Sequence, residues 1–362
     1  MSKQDDSSVS SSRPTVVVCS QAMRRCMSGV SGGIYGGISG NLSGGMSGGM
    51  AFTPICESFR RDSDQRQQQC GSNSSDSRDS SNLPPKTIWT YWDNHTTPDE
   101  GDAGIPKTVE MCIKGWKDQN PQYRVILLNK KSPQISEIIP KTIRDHHNFH
   151  DNPTRFADLV RLWVLAAHGG VWADASVVLK EPLDDWLFVD KEHAVKVEAE
   201  FSGFYIDGFT KDAARHPVIE NWFFACRKGS PFVELWKKEF TEIANYPSVA
   251  EYVDSRRIVM KVDYEGIDDP VYLAMHVAAQ KILQYDNYPL ASLILRKAED
   301  GPLRYLVDAG WDSEKAVCLA CNSQYQAPIL KLRGAERKVV ESKICEDPSS
   351  KPCGYLFTAT TT

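Results

Sequence analysis

From Leu83 onward the chain alternates short apolar runs with longer stretches of helical spacing. Lys86 to Trp92 (KTIWTYW) is dense in β-branched and aromatic residues and predicts a buried first strand. Val109 to Trp116 repeats its apolar positions at helical intervals and is closed by Asn120-Pro121. Tyr123 to Leu128 predicts a second strand, completing a β-α-β unit of the kind that builds parallel sheets. Pro133 to Ile139 predicts a short helix, and Pro140 to Asn152 a polar connection. Residues 154–168 predict a long helix, apolar on most sides, that stops at Gly169-Gly170. Val171-Trp172-Ala173 then reads as a short strand, continued extended over Val177 to Leu179, with a turn from Pro182 to Leu187. Further strands are expected at His193 to Val197 and Gly203 to Ile206. Beyond Asn221 the pattern is mostly helical, over Pro231 to Ala244, Val249 to Val253, Pro270 to Leu283 and Leu290 to Lys297, with a last strand at Ile329 to Leu332. The fold class is α/β in the first half, with a largely helical C-terminal half.

Residues 1–83 lack such a pattern. SGVSGGIYGGISGNLSGGMSGGM is a glycine–serine repeat and SNSSDSRDSSN a polar serine tract, and neither buries enough apolar surface to offset the entropy of ordering. The expected organisation is a disordered Gly/Ser-rich head over 1–83, one folded domain over 84–340 and a C-terminal tail over 341–362.

Composition narrows the function classes. The 362 residues are 41% hydrophobic and 25% charged, which is ordinary for a globular chain. A formal net charge of −5 gives no support for nucleic acid as a partner, and an anionic ligand would need positive charge supplied locally. No apolar run approaches the roughly 18–20 residues that span a bilayer, and Val16 to Val18 is too short for a signal-peptide core. The chain is therefore expected to be cytoplasmic, with no transmembrane segment. Asn41, Asn73 and Asn94 stand in N-x-S/T triplets, which matter only on a secretory route. The ten cysteines are scattered; Cys318 and Cys321, with Cys345 and Cys353, are loosely spaced for zinc and read better as free thiols.

Candidate chemistry gathers between Phe156 and Leu179 (FADLVRLWVLAAHGGVWADASVVL). Arg155, Asp158 and Arg161 are spaced i, i+3, i+6 and make one polar line on an otherwise apolar helix. Charges on a buried helix are costly unless they are paired or used. Asp158 and Arg161 are thus either an internal ion pair or groups that meet a sugar and a phosphate. Asp174 emerges where a strand stops, the place at which α/β sheets put ligands. A carboxylate there suits a hard divalent cation held against a diphosphate. Ser176, two residues on, offers a hydroxyl, a weaker metal ligand than the second Asp often found in such sites. Asn221 and Trp222 suit hydrogen bonding and stacking on a sugar. Asp184-Asp185 and Asp268-Asp269 read as surface turns, and His276 as a packed residue.

The run ADLVRLWVLAAHGGVWADASVVL resembles glycosyltransferase family 32, especially its capsular polysaccharide synthesis branch. There a helix with Asp-x-x-Arg leads through Gly-Gly-x-(aromatic) to Asp-x-Asp, Asp-x-Ser or Asp-x-Thr. Pro85-Lys86-Thr87-Ile88-Trp89 is similar to the family's opening strand, and Cys112-Ile113-Lys114-Gly115-Trp116 with Asn120-Pro121-Gln122-Tyr123 to its next segment. Pro182-Leu183, Asn221-Trp222-Phe223-Phe224-Ala225 and Pro231-Phe232 resemble later blocks, so the likeness covers about Pro84 to Met275.

The resemblance implies a GT-A fold, a Rossmann-like sheet that binds a nucleotide-sugar donor. It implies that Asp158 and Arg161 face the donor sugar and phosphates, and that Asp174 with Ser176 meets ribose and a divalent metal, Mn²⁺ or Mg²⁺ (manganese or magnesium). Ile88, Trp89 and Thr90 would lie beneath the nucleoside, with Trp89 or Tyr91 near the base; substrate contact by Asn221 and Trp222 is expected from their own chemistry. The implied activity is retaining, divalent-metal-assisted transfer of a sugar to a glycan or other hydroxyl acceptor. Two other readings stay open at this point. One is a non-catalytic relative that binds nucleotide-sugar or glycan, which Ser176 favours; the other is a metal-dependent phosphohydrolase using the same carboxylates.

Overall fold

In the computed structural model the described residues are 83–93, 104–189, 198–321, 325, 327–346 and 353–357. The head, the three N-x-S/T asparagines and the strand expected at 193–197 lie outside them. The expected β-α-β start forms as β1 (Thr87–Tyr91), a helix Lys107–Gln119 and β2 (Arg124–Leu128). A short helix follows at Pro133–Ile138, and the expected polar connection folds into two single turns, Lys141–Arg144 and His147–His150. The long helix runs Pro153–His168, opened by Asn152, whose side chain accepts from Arg155 N, and by Pro153 in its first turn. It leads into β3 (Gly170–Ala173) and β4 (Val177–Leu179).

The turn between helix and β3 depends on glycine. Gly170 has φ of 101°, and a Cβ there would lie 2.6 Å from the Thr87 carbonyl oxygen of the segment beside it. Gly170→Ala is therefore expected to destabilise the fold by about 2–4 kcal/mol, from backbone strain together with the clash. A urea unfolding midpoint equal to the wild type would contradict this packing.

The remaining strands are β5 (Phe201–Ile206), β6 (Val218–Cys226), β7 (Leu293–Lys297) and β8 (Ile329–Lys331). Six of them make one mixed sheet in the order β2-β1-β3-β6-β5-β7, while β4 and β8 form a separate antiparallel pair. β1 runs parallel to both β2 and β3; β6 is antiparallel to β3 and β5; β7 is parallel to β5. This sheet with its flanking helices is an α/β fold. All described residues fall in one compact unit.

Two segments differ from the sequence expectation. Val218–Cys226 is a central strand rather than the start of a helical region, and its nearly continuous apolar run is buried on both faces. Leu293–Lys297 is an edge strand rather than part of a helix. There Arg296 donates to the Trp186, Leu187 and Val189 carbonyls and to the Ser202 hydroxyl, a set of bonds that an exposed helical Arg would not make. Helices Pro231–Thr241, Val249–Ile258 and Ala274–Gln284 cover much of the expected helical ground. The core between sheet and helices is aromatic, with Phe201 stacked on Phe224 at 5.2 Å and Trp236 at 5.4 Å from Phe224.

The C-terminal segment is part of this body. Helix Gly334–Glu346 spans the boundary expected at 340, and its Glu341 accepts from the backbone N–H groups of Lys107 (3.0 Å) and Thr108 (2.9 Å) and from the Thr108 hydroxyl. A carboxylate at the first turn of Lys107–Gln119 satisfies donors that the helix cannot pair itself. Among the described residues no helix is long and apolar enough to cross a membrane.

Candidate functional site

Asp174 follows the last residue of β3, and its backbone N–H still bonds the Trp222 carbonyl of β6 at 2.8 Å. That bond fixes the acid at the sheet's end, where the helix Pro153–His168 presents Asp158 and Arg161. Arg161 bridges the two carboxylates, at 3.1 Å to Asp158 Oδ1 and 2.9 Å to Asp174 Oδ1. Trp172 Nε1 also donates to Asp174 Oδ1 (3.0 Å), and the Arg161 guanidinium lies over the Trp172 ring at 5.0 Å. On the other oxygen, Lys331 Nζ sits 2.7 Å from Asp174 Oδ2. Asn221 of β6 donates to Asp158 Oδ1 at 3.1 Å. The structure thus brings Asp158, Arg161, Asp174 and Asn221 into one connected network.

Exposure separates the acids. The Asp158 side chain is 6% exposed and that of Asp174 27%, so Asp174 is the one that opens outward. Burial pushes the Asp158 carboxyl up to about 6, with Arg161 and His276 only partly offsetting it. Burial works in the same direction on Asp174, but Lys331 and then Arg161 outweigh it and hold that carboxyl below its usual value. The ion pair foreseen on the helix therefore forms, in surroundings that disfavour the charge on its acid.

A stability signature follows from Asp158. Its folded value of about 6 exceeds the ordinary 3.8, so between those values the native chain keeps a proton that the unfolded chain has lost. Stability from this group is fullest below 3.8 and is lost as pH rises through about 6. Asp158→Asn is expected to raise stability at pH 7.5 by about 1–3 kcal/mol, with the gain fading toward pH 4. Melting temperatures of both chains across that range test it; an equal gain at both ends would place the effect elsewhere.

Other expected site residues stand differently. Ile88 and Thr90 are wholly buried and Trp89 and Tyr91 nearly so, within the core of the sheet. Trp89 Nε1 donates to the Gly169 carbonyl at 3.1 Å, at the opposite end of β3 from Asp174. Tyr91 lies at the Asp174 end but packs its ring against Phe156, 6.0 Å away. Trp222 is buried and stacked on Phe204 at 5.3 Å. His276 is buried opposite Glu220 at 3.6 Å, in keeping with a packed residue. Asp184 takes Lys86, Gln122 and Tyr123 at 2.6, 3.0 and 2.7 Å, which is a surface clamp. Cys318, Cys321 and Cys353 are free thiols, and the neighbouring Cys321 holds the Cys353 thiol below its usual value.

The donor set does not fit a divalent cation as the residues are placed. Ser176 is buried and its hydroxyl donates to the Leu332 carbonyl at 2.7 Å, because β4 and β8 close over it. Asp174 already has Arg161 and Trp172 on one oxygen and Lys331 on the other. Among the described residues no group of three or more His, Cys, Asp or Glu side chains converges, so a cation here would depend on Asp174 and on oxygens brought by a ligand. The expected Asp174–Ser176 ligand pair is replaced by an Asp174–Lys331 ion pair.

Sequence reasoning missed three residues around Asp174. Lys331 arrives on β8, 157 residues away in the chain. Arg337, on helix Gly334–Glu346, lies over the Trp92 ring at 5.0 Å and within electrostatic reach of Asp174. The Tyr272 phenol is pushed up to about 12 by burial first, then by Asp158 and Asp174. Only the unexplained need for local positive charge pointed toward such residues.

Residues 58–268 match the family model described as capsular polysaccharide synthesis protein, more than half of the chain. The chain belongs to that family. An O-glycosyltransferase, braB, of Annulohypoxylon truncatum is 27% identical over 171 residues, 44% of this chain and 37% of its own length. An initiation-specific alpha-1,6-mannosyltransferase of Candida albicans is 28% identical over 173 residues, 44% of this chain and 43% of its own. A glycosyltransferase, afumC, of Aspergillus fumigatus is 23% identical over 248 residues, 64% and 57% of the two chains. This member of the capsular polysaccharide synthesis family thus spans between 37% and 57% of the length of these relatives. Among solved structures, the PaToxG glycosyltransferase aligns with a TM-score of 0.32 at 13% identity, covering 58% of this chain and 82% of its own, which is a slight likeness. Lys331 and Arg337 lie beyond the matched segment.

Proposed function

We propose that the chain is a glycosyltransferase that moves a sugar from a nucleotide-sugar donor to a glycan or other hydroxyl acceptor. The observation that carries the reading is the charge chain Asp158–Arg161–Asp174–Lys331 at the end of β3, where α/β sheets bind ligands. A leaving nucleoside diphosphate gains negative charge as the sugar departs. Cations already fixed in place stabilise that charge without reorganising at the moment of reaction. Arg161 and Lys331 are such cations, each held by Asp174, and the diphosphate oxygens would compete with the carboxylate for them. Asp158, with Asn221 beside it, offers hydrogen-bond acceptors and donors to sugar hydroxyls.

The relatives named as an O-glycosyltransferase and a mannosyltransferase support transfer of a hexose to a hydroxyl oxygen. Retention of the anomeric configuration belongs to the same proposal and rests on the family resemblance. The test is release of nucleoside diphosphate from a panel of nucleotide-sugars, with and without sugar acceptors, followed by thermal shift on the same panel. Acceptor-stimulated release supports transfer. A thermal shift without release would make the chain a binding module, and neither would end the reading.

A further inference from the structure

We infer that Lys331 takes the part of a divalent cation in this site, so that the donor's diphosphate binds against its ammonium and Arg161 without metal. The inference rests on the nucleotide-sugar reading above and goes beyond it, since the resemblance implies metal. A hard cation in such a site links an acidic side chain to phosphate oxygens. Here Lys331 Nζ holds that linking position, 2.7 Å from Asp174 Oδ2, with 11% of its side chain exposed. The other oxygen is filled by Arg161 at 2.9 Å and Trp172 at 3.0 Å. A carboxylate offers about four lone-pair positions, so little of Asp174 is left for a metal. A divalent ion approaching that remainder would also meet two positive neighbours.

Lys331 is built in rather than wandering. β8 pairs its backbone with Val177, three residues after Asp174. Its N–H bonds the Pro302 carbonyl at 3.2 Å, and its own carbonyl accepts from the Tyr305 hydroxyl at 2.6 Å. The ammonium lies over the Trp222 ring, 5.8 Å from its centre. Six residues on, Arg337 is half-buried, and its guanidinium makes no hydrogen bond or ion pair among the described residues. The C-terminal segment therefore sets Lys331 against Asp174 and Arg337 within its electrostatic reach, while the Ser176 hydroxyl serves the β4–β8 pair.

Titration calorimetry of the full chain with UDP, GDP, ADP, CDP and dTDP, in EDTA and again in Mn²⁺, tests this. At least one diphosphate is expected to bind in EDTA, with manganese tightening it by less than about tenfold. Tightening of tenfold or more, or binding only with Mn²⁺, overturns the inference and leaves the nucleotide-sugar reading standing. No binding under either condition overturns both. In EDTA, Lys331→Met is expected to weaken binding by about tenfold or more, and Lys331→Arg to keep most of it. Undiminished binding by a folded Lys331→Met chain overturns the inference; if that variant does not fold, the EDTA comparison and Lys331→Arg decide it, loss of binding in a folded Lys331→Arg chain counting against a simple charge role.

Discussion

Asp174→Ala is expected to keep the fold and lower sugar transfer by about 10²–10³-fold, the scale seen when one preorganised electrostatic group is removed from a reacting centre. The fold survives because Asp174 is 27% exposed and its place at the strand end is held by a backbone bond to Trp222, which alanine keeps. Transfer suffers because Asp174 links Arg161 to Lys331. Without it the two ammonium and guanidinium charges repel, and Lys331 loses the contact that aims it. Donor binding should fall less than turnover, since both cations remain in the chain. Asp174→Asn, which keeps the shape and one acceptor, should fall between alanine and the wild type. The measurement is nucleoside diphosphate release at saturating donor, with circular dichroism as the folding control. Activity of a folded Asp174→Ala chain within tenfold of the wild type would remove Asp174 from the reaction.

The unit from Pro153 to Asp174 was legible in the sequence because its logic is local. Helical spacing put Asp158 and Arg161 on one face, Gly169-Gly170 marked the turn, and three apolar residues ended at an acid. β6 was not legible, because a run such as VIENWFFAC suits a buried helix or a two-faced central strand equally well by pattern alone. β7 was hidden for another reason: its strand form is imposed by parallel pairing with β5 and by the bonds of Arg296 to the turn at 186–189. Ser176 misled because spacing places Asp174 and Ser176 together, while only the distant β8 determines where the serine hydroxyl goes. Lys331 could not be singled out, as nothing in a lone Lys of a short strand reports an acid 157 positions earlier. Trp89 and Tyr91 show the same limit, since strand aromatics serve core and ligand alike.

Arg161→Leu is expected to be the most destabilising single change at this site, at about 3–5 kcal/mol near pH 7.5. Removing one partner of a buried ion pair leaves an uncompensated charge behind. Among the described residues it leaves the buried Asp158 Oδ1 with Asn221 as its hydrogen-bond donor, and it takes one of two cations from Asp174. The loss should shrink as pH falls. Asp158 already sits at about 6 with Arg161 present, so without it the carboxyl is pushed higher still and protonates sooner on acidification. Adding Asp158→Asn should restore most of the stability at pH 7.5, and the resulting double-mutant cycle should give a coupling of about 1–3 kcal/mol. Urea unfolding of the four chains at pH 7.5 and 5 measures it; an Arg161→Leu chain as stable as the wild type at both would mean that the pair carries no stability. Asp158→Asn alone is expected to be more stable than the wild type and the double variant inactive in transfer. A buried, ionised aspartate that weakens the fold at neutral pH is hard to explain by packing, and a group kept at such a cost is better explained by what it does for a bound donor.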